Sequence, residues 1–142
     1  MKLSFRNFFR LENRATASDV AKARAKFEQG LALHQQGRLA QAQESYQQAL
    51  QLQPEHFDAL NLLGVIAAQT GNFSRAVELI DKAIKINPDS EAAHCNRGNV
   101  LKELKRWDEA LESYEQAIRL KDRKSTRLNS SHMSESRMPS SA

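Results

Sequence analysis

The chain has 142 residues with a formal net charge of +4, and its single cysteine, Cys95, excludes an internal disulfide. Ahead of residue 122 the charges nearly balance, with 17 Lys and Arg against 15 Asp and Glu. No stretch approaches the ~20 apolar residues of a membrane span. These limits leave one small globular domain, point to a cytoplasmic location, and give no sign of an oxidising compartment.

Residues 1–18 form a basic and aromatic segment. Residues 1–26 hold seven basic and two acidic residues, a local +5. Leu3, Phe5, Phe8, Phe9 and Leu11 are interrupted by Arg6, Asn7 and Arg10, so the segment lacks the apolar run of a secretory signal. It is expected to pack over the first helical unit and cover its end. Adsorption to an anionic membrane surface is the alternative.

Apolar residues three or four apart predict helices near 19–36, 38–52, 55–69, 72–86, 89–103 and 106–120. In the middle pair, Leu60, Leu63 and Ala67 form one stripe and Ala76, Ile80 and Ala83 another. The turn signal Gly71-Asn72 separates them. Gly64 against Ala76 is expected to let the two helices approach closely, with Tyr46, Ile80 and Tyr114 filling the wider space further along. Pro54 and Pro88 suit the first turn of the helix that follows each. Trp107 is expected to pack at the start of the last helix.

The pattern stops at Asp122. Residues 122–142 are polar and aperiodic, and DRKSTRLNSSH resembles the translation of a short-read sequencing adapter. This tail is expected to be non-native, disordered and without function.

The predicted elements recur every 34 residues. Gly30, Gly64 and Gly98 form one series, and Ala42, Ala76 and Ala110 another. Tyr46, Ile80 and Tyr114 align, as do Ala49, Ala83 and Ala117, and Leu52, Ile86 and Leu120. A fixed period of this length means a stacked array in which each unit buries its apolar face against its neighbours.

The unit FDALNLLGVIAAQTGNFSRAVELIDKAIKINP, residues 57–88, resembles a tetratricopeptide repeat. Units at about 23–54 and 91–121 match in the same register. The first departs at Lys26 and Gln29, and in the third Asp122 replaces the closing proline. The resemblance implies an all-α fold over residues 19–121: a right-handed α-α superhelix of three tandem TPR helix-turn-helix units. It also implies that the first helix of each unit lines a concave groove that receives a protein or peptide partner.

By register, the groove residues in the first unit are Arg24, Phe27, Leu31 and His34. In the second they are Asp58, Asn61, Val65 and Ala68, and in the third Ala92, Cys95, Asn99 and Lys102. Asn61, Asn96 and Asn99 are amides suited to hydrogen-bonding an extended peptide backbone. Members that grip a C-terminal carboxylate use basic and amide side chains where this chain has Phe27 and Leu31, so a chaperone-tail clamp is not expected.

Chemistry beyond binding is not indicated. His34, His56 and His94 lie in different units and share no metal-ligand spacing. His94 is expected to be a half-buried packing residue and His56 to be solvated. Cys95 follows His94, but adjacent helical residues point about 100° apart and do not pair. The five glycines sit at repeat positions, so no phosphate loop, cofactor or metal is expected. Residues 27–121 carry ten basic and thirteen acidic side chains, which is not a nucleic-acid surface.

The expected function is a non-catalytic protein–protein interaction module. One alternative is the truncated N-terminal array of a larger enzyme, because NRGN (residues 96–99) and LKELKR (residues 101–106) resemble bacterial O-GlcNAc-transferase-related arrays. Another is a membrane-peripheral scaffold held by the N-terminal segment. Leu111, Tyr114 and Ile118 on the last helix have no covering helix after them, so self-association through this end is also expected.

Overall fold

The computed structural model describes the backbone of residues 15–141 and the side chains of residues 15–125. Among these residues there are six helices and no strand: α1 Ala17–Gln35, α2 Leu39–Leu52, α3 Phe57–Gln69, α4 Phe73–Ile86, α5 Glu91–Glu103 and α6 Trp107–Ser141. They pair as α1 with α2, α3 with α4 and α5 with α6. Each pair stacks on the next through α2 against α3 and α4 against α5, while α3 also touches α5. The result is a right-handed superhelix of three helix-turn-helix units. The aromatic residues of the expected N-terminal arm lie outside the described residues.

Within each pair, the glycine series sets the closeness of packing, but its partner is the large residue of the second helix. A Cβ on Gly30 or Gly98 would lie 2.7 Å from the ring of Tyr46 or Tyr114. A Cβ on Gly64 would lie 2.5 Å from Cγ1 of Ile80 and 3.2 Å from the carbonyl oxygen of Ala76. The big side chain therefore fills the notch that glycine leaves. Ala42, Tyr46, Ala49, Ala76, Ile80 and Ala83 lose all solvent exposure in this way.

The turns repeat as well. Gly37 and Gly71 have φ of 79° and 86°, and the equivalent Lys105 has φ of 61°. At each turn two backbone N–H groups fold back onto the preceding helix. Arg38 donates to Leu33 and Gly37 to His34, with the same pattern at Asn72–Ala67 and Arg106–Leu101. This ending requires a left-handed residue, which glycine adopts without steric cost.

Pro54 and Pro88 act one step earlier than expected. They lie in the turns before α3 and α5, outside the first helical turn. Gln53 and Asn87, which precede them, are extended at φ −140° and −136° and cap α2 and α4. Proline disfavours the helical conformation in the residue before it, so it ends each second helix. Asp122 occupies the equivalent place in the third unit and imposes no such limit. Accordingly α6, expected to close near residue 120, runs on to Ser141.

Trp107 is a second departure: it is 60% exposed and does not pack into the core. Arg97 takes the place held by buried Leu63 in the middle unit. Its Nε donates to Asp81 Oδ1 on α4 at 2.6 Å, and its Nη1 donates to Ser113 Oγ on α6 at 2.7 Å. This bridge joins the second and third units with polar contacts where the middle unit uses apolar ones.

Candidate functional site

The expected groove residues form four columns, one residue per unit in each. The structure assigns the columns different roles. Val65 and Ala68 of α3, with Asn99 and Lys102 of α5, line one cleft of about 390 Å³ between the two first helices. Val65 and Ala68 are half-buried, whereas Asn99 and Lys102 are exposed. Asn99 is already engaged on one side, because its Oδ1 accepts the Tyr114 hydroxyl. Its amide N–H groups have no partner among the described hydrogen bonds. Burial raises the Tyr114 phenol above its ordinary value, with Cys95 and Glu103 adding to the rise.

The column of Phe27, Asn61 and Cys95 does not open onto this cleft. Phe27 packs on Tyr46 and on His56, with ring centroids 5.6 and 5.1 Å apart. Asn61 is buried, and its Oδ1 accepts from Asn96 Nδ2 of α5 at 3.2 Å. Both residues face the next unit and form the seam between repeats. Cys95, the last of the column, is exposed. With Ala92, Tyr114 and Ile118 it lines an open notch of about 560 Å³ between α5 and α6.

In the first unit, Arg24 is exposed and holds a solvated i,i+4 ion pair with Glu28 at 3.5 Å. Leu31 is half-buried. His34 is committed to structure: its Nε2 lies 2.9 Å from Gln69 Oε1 and its Nδ1 3.3 Å from the Tyr46 hydroxyl. A neutral ring with its proton on Nε2 satisfies both, donating to Gln69 and accepting from Tyr46. Tyr46 is fully buried, and that burial pushes its phenol up to about 12, so it serves as a neutral donor. Asp58 is an exposed residue in the first turn of α3.

Two histidines differ from expectation. His56 is half-buried and caps α3, its Nδ1 accepting the Ala59 N–H at 3.1 Å. Burial holds its ring below the ordinary imidazole value, outweighing the opposite pull of Asp58. His94 is buried, and its Nε2 donates to the Pro88 carbonyl at 2.7 Å. The cap and the contact of His56 with Phe27 were not signalled by periodicity, which left the residue solvated. Among the described residues no three His, Cys, Asp or Glu side chains converge as metal ligands. Nor is any helix long and apolar enough to cross a membrane.

Comparison with known proteins agrees with this geometry. Tetratricopeptide repeat models match residues 27–91 and 91–123. No curated protein matches the chain. Among solved structures, MamA is similar with a TM-score of 0.70 and 25% identity over 74% of this chain. The match spans 61% of the MamA chain, so this chain accounts for less than two thirds of it. An O-GlcNAc transferase from Thermobaculum terrenum gives a TM-score of 0.71 and 27% identity, over 74% of this chain and 20% of that one. The first TPR of Spaghetti (RPAP3), bound to an HSP90 peptide, gives 0.71 and 20% identity over 81% of this chain and 95% of that one, a likeness of fold. The two repeat models together span residues 27–123, and the chain belongs to the tetratricopeptide repeat family.

Proposed function

We propose that this chain is a non-catalytic, cytoplasmic interaction module that holds an extended segment or a helix of a partner protein along its first helices. The observation that supports this is the cleft shared by two units, with Val65 and Ala68 as an apolar floor and Asn99 and Lys102 as a polar rim. Apolar contact supplies affinity and the rim fixes orientation, the usual division in peptide grooves. A carboxylate clamp is not proposed, because Phe27 is packed on Tyr46 and His56. Selection of peptides on the whole chain, followed by titration, tests the assignment. Lys102→Ala and Ala68→Arg are expected to weaken binding with an unchanged helical signal. Equal binding by both variants would place the partner elsewhere.

A second reading is that the array precedes a catalytic domain in a longer enzyme. The 27% identity to the Thermobaculum terrenum O-GlcNAc transferase, matched over only 20% of its length, favours it. The natural coding sequence after codon 121 decides it: an open frame into a glycosyltransferase domain supports the reading, and an immediate stop refutes it. The notch beside Cys95 and the exposed Ile118 also support a reading in which the chain self-associates through its α5–α6 end.

A further inference from the structure

A larger cleft, of about 800 Å³, opens between the second helices α2 and α4. Leu60 and Leu63 of α3 and Leu79 of α4 lie at the base of its floor and are buried, while half-buried Leu50 of α2 and exposed Ile86 of α4 supply its accessible apolar surface. The α2 wall carries Gln43, Gln47 and Gln51. The α4 wall carries Arg75, Lys82 and Lys85.

Charge is sorted across this region. Between residues 39 and 86 the chain has three Lys or Arg and five Asp or Glu. All three cations line the cleft and none of the five acids does. Asp81 turns away to Arg97 of the next unit, at 2.6 Å. Glu78 reaches Arg75 at 3.5 Å, with both side chains more than half exposed. Lys82 and Lys85 are exposed, and among the described residues neither joins an ion pair. A stretch that is acidic on balance thus presents a purely cationic wall over an apolar floor.

We propose that this cleft is a second docking surface, which takes an extended acidic segment of a protein partner. The three glutamines are four residues apart, about 6 Å along the helix axis. An extended chain repeats every two residues, about 6.6 Å. Each amide offers a donor and an acceptor to successive peptide groups. Carboxylates on the other side of such a segment meet Arg75, Lys82 and Lys85, and its apolar side chains reach Leu50 and Ile86. The wall from Arg75 to Ile86 is about 16 Å long, room for about five extended residues.

The lining contains no aromatic residue, so it offers nothing for bases of a single-stranded nucleic acid to stack on. Its floor is recessed between two helices, out of reach of a flat bilayer. It shares no residue with the cleft that holds Val65 and Lys102, so both surfaces can be occupied together.

The test uses the full chain and two fluorescein-labelled decapeptides that alternate Val with Glu or Val with Lys. Fluorescence anisotropy is expected to show the Glu peptide binding about tenfold tighter or more, weakening with salt. Amide NMR shifts are expected on α2 and α4. The triple variant R75Q/K82Q/K85Q is expected to lose about tenfold or more in affinity, while Lys102→Gln retains it. Equal affinity for both peptides, no binding at millimolar concentration, or full binding by the triple variant overturns the proposal. So do shifts confined to α3 and α5, or a cation-dependent response to phosphatidylserine vesicles without one to the Glu peptide.

Discussion

The side-chain amide of Asn96 donates to Oδ1 of Asn61 at 3.2 Å, tying α5 to α3 across the second and third units. In the same column, Phe27 meets His56 at the junction of the first and second units. These contacts make the 27/61/95 column a seam between repeats. The open surface of the first helices narrows to Val65, Ala68, Asn99 and Lys102.

Asn61→Ala is therefore expected to act on stability. It removes the buried acceptor and leaves the Asn96 amide short of a partner, at a cost of about 1–2 kcal/mol. Urea unfolding measures this. An unchanged midpoint, with a loss of partner binding instead, would return Asn61 to the binding surface.

Lys105 holds the left-handed conformation that Gly37 and Gly71 hold in the other units. A non-glycine residue there is strained by about 1–2 kcal/mol, and glycine costs part of this back through unfolded-state entropy. Lys105→Gly is expected to stabilise the chain by about 0.5–1 kcal/mol, seen as a higher thermal midpoint. Gly71→Lys is expected to do the reverse.

Gly64→Ala places a methyl 2.5 Å from Ile80 Cγ1 and close to the Ala76 carbonyl. The overpacking is expected to cost about 1–3 kcal/mol, reduced by the better helix propensity of alanine. In an Ile80→Ala background the same change is expected to cost much less. Additive losses in this double-mutant cycle would show that the two residues do not share the notch.

His56 couples stability to pH. Its folded value lies below the ordinary 6.5 because burial disfavours the imidazolium. The neutral ring is the folded form, so its contribution is fully present above the unfolded value and is lost as pH falls through the folded one. Protonation also turns Nδ1 into a donor and removes the cap on Ala59, worth about 1 kcal/mol. Unfolding midpoints are expected to fall faster below pH 6.5 in the wild type than in His56→Asn, which caps without titrating. Parallel profiles would exclude this role.

Ile118 and Leu111 of α6 are 57% and 58% exposed. Sedimentation velocity is expected to show association rising with concentration, and Ile118→Lys is expected to reduce it. Truncation after Lys121 tests the tail separately. Among the described side chains it removes the Lys124–Glu91 ion pair at 3.3 Å, a surface contact worth no more than about 1 kcal/mol. A larger fall in the thermal midpoint would mean that the tail packs.

The sequence by itself determined the architecture. Helical spacing of apolar residues set six helices, and the recurrence of Gly, Ala and Tyr or Ile every 34 residues set three units in one register. These signals are local, because a notch and the side chain that fills it lie within one helix pair. What only the tertiary structure decided was which columns stay open. Register treats Asn61 and Asn99 alike as groove amides, yet one is covered by the following helix and the other remains exposed. Arg75, Lys82 and Lys85 share one face of α4 by helical spacing alone. Stacking α2 and α4 on either side of α3 decides that this face borders a cleft, while Asp81 turns to Arg97 of the next unit. Burial and the bordering of a cleft depend on neighbours from other units, and the one-dimensional pattern does not carry them.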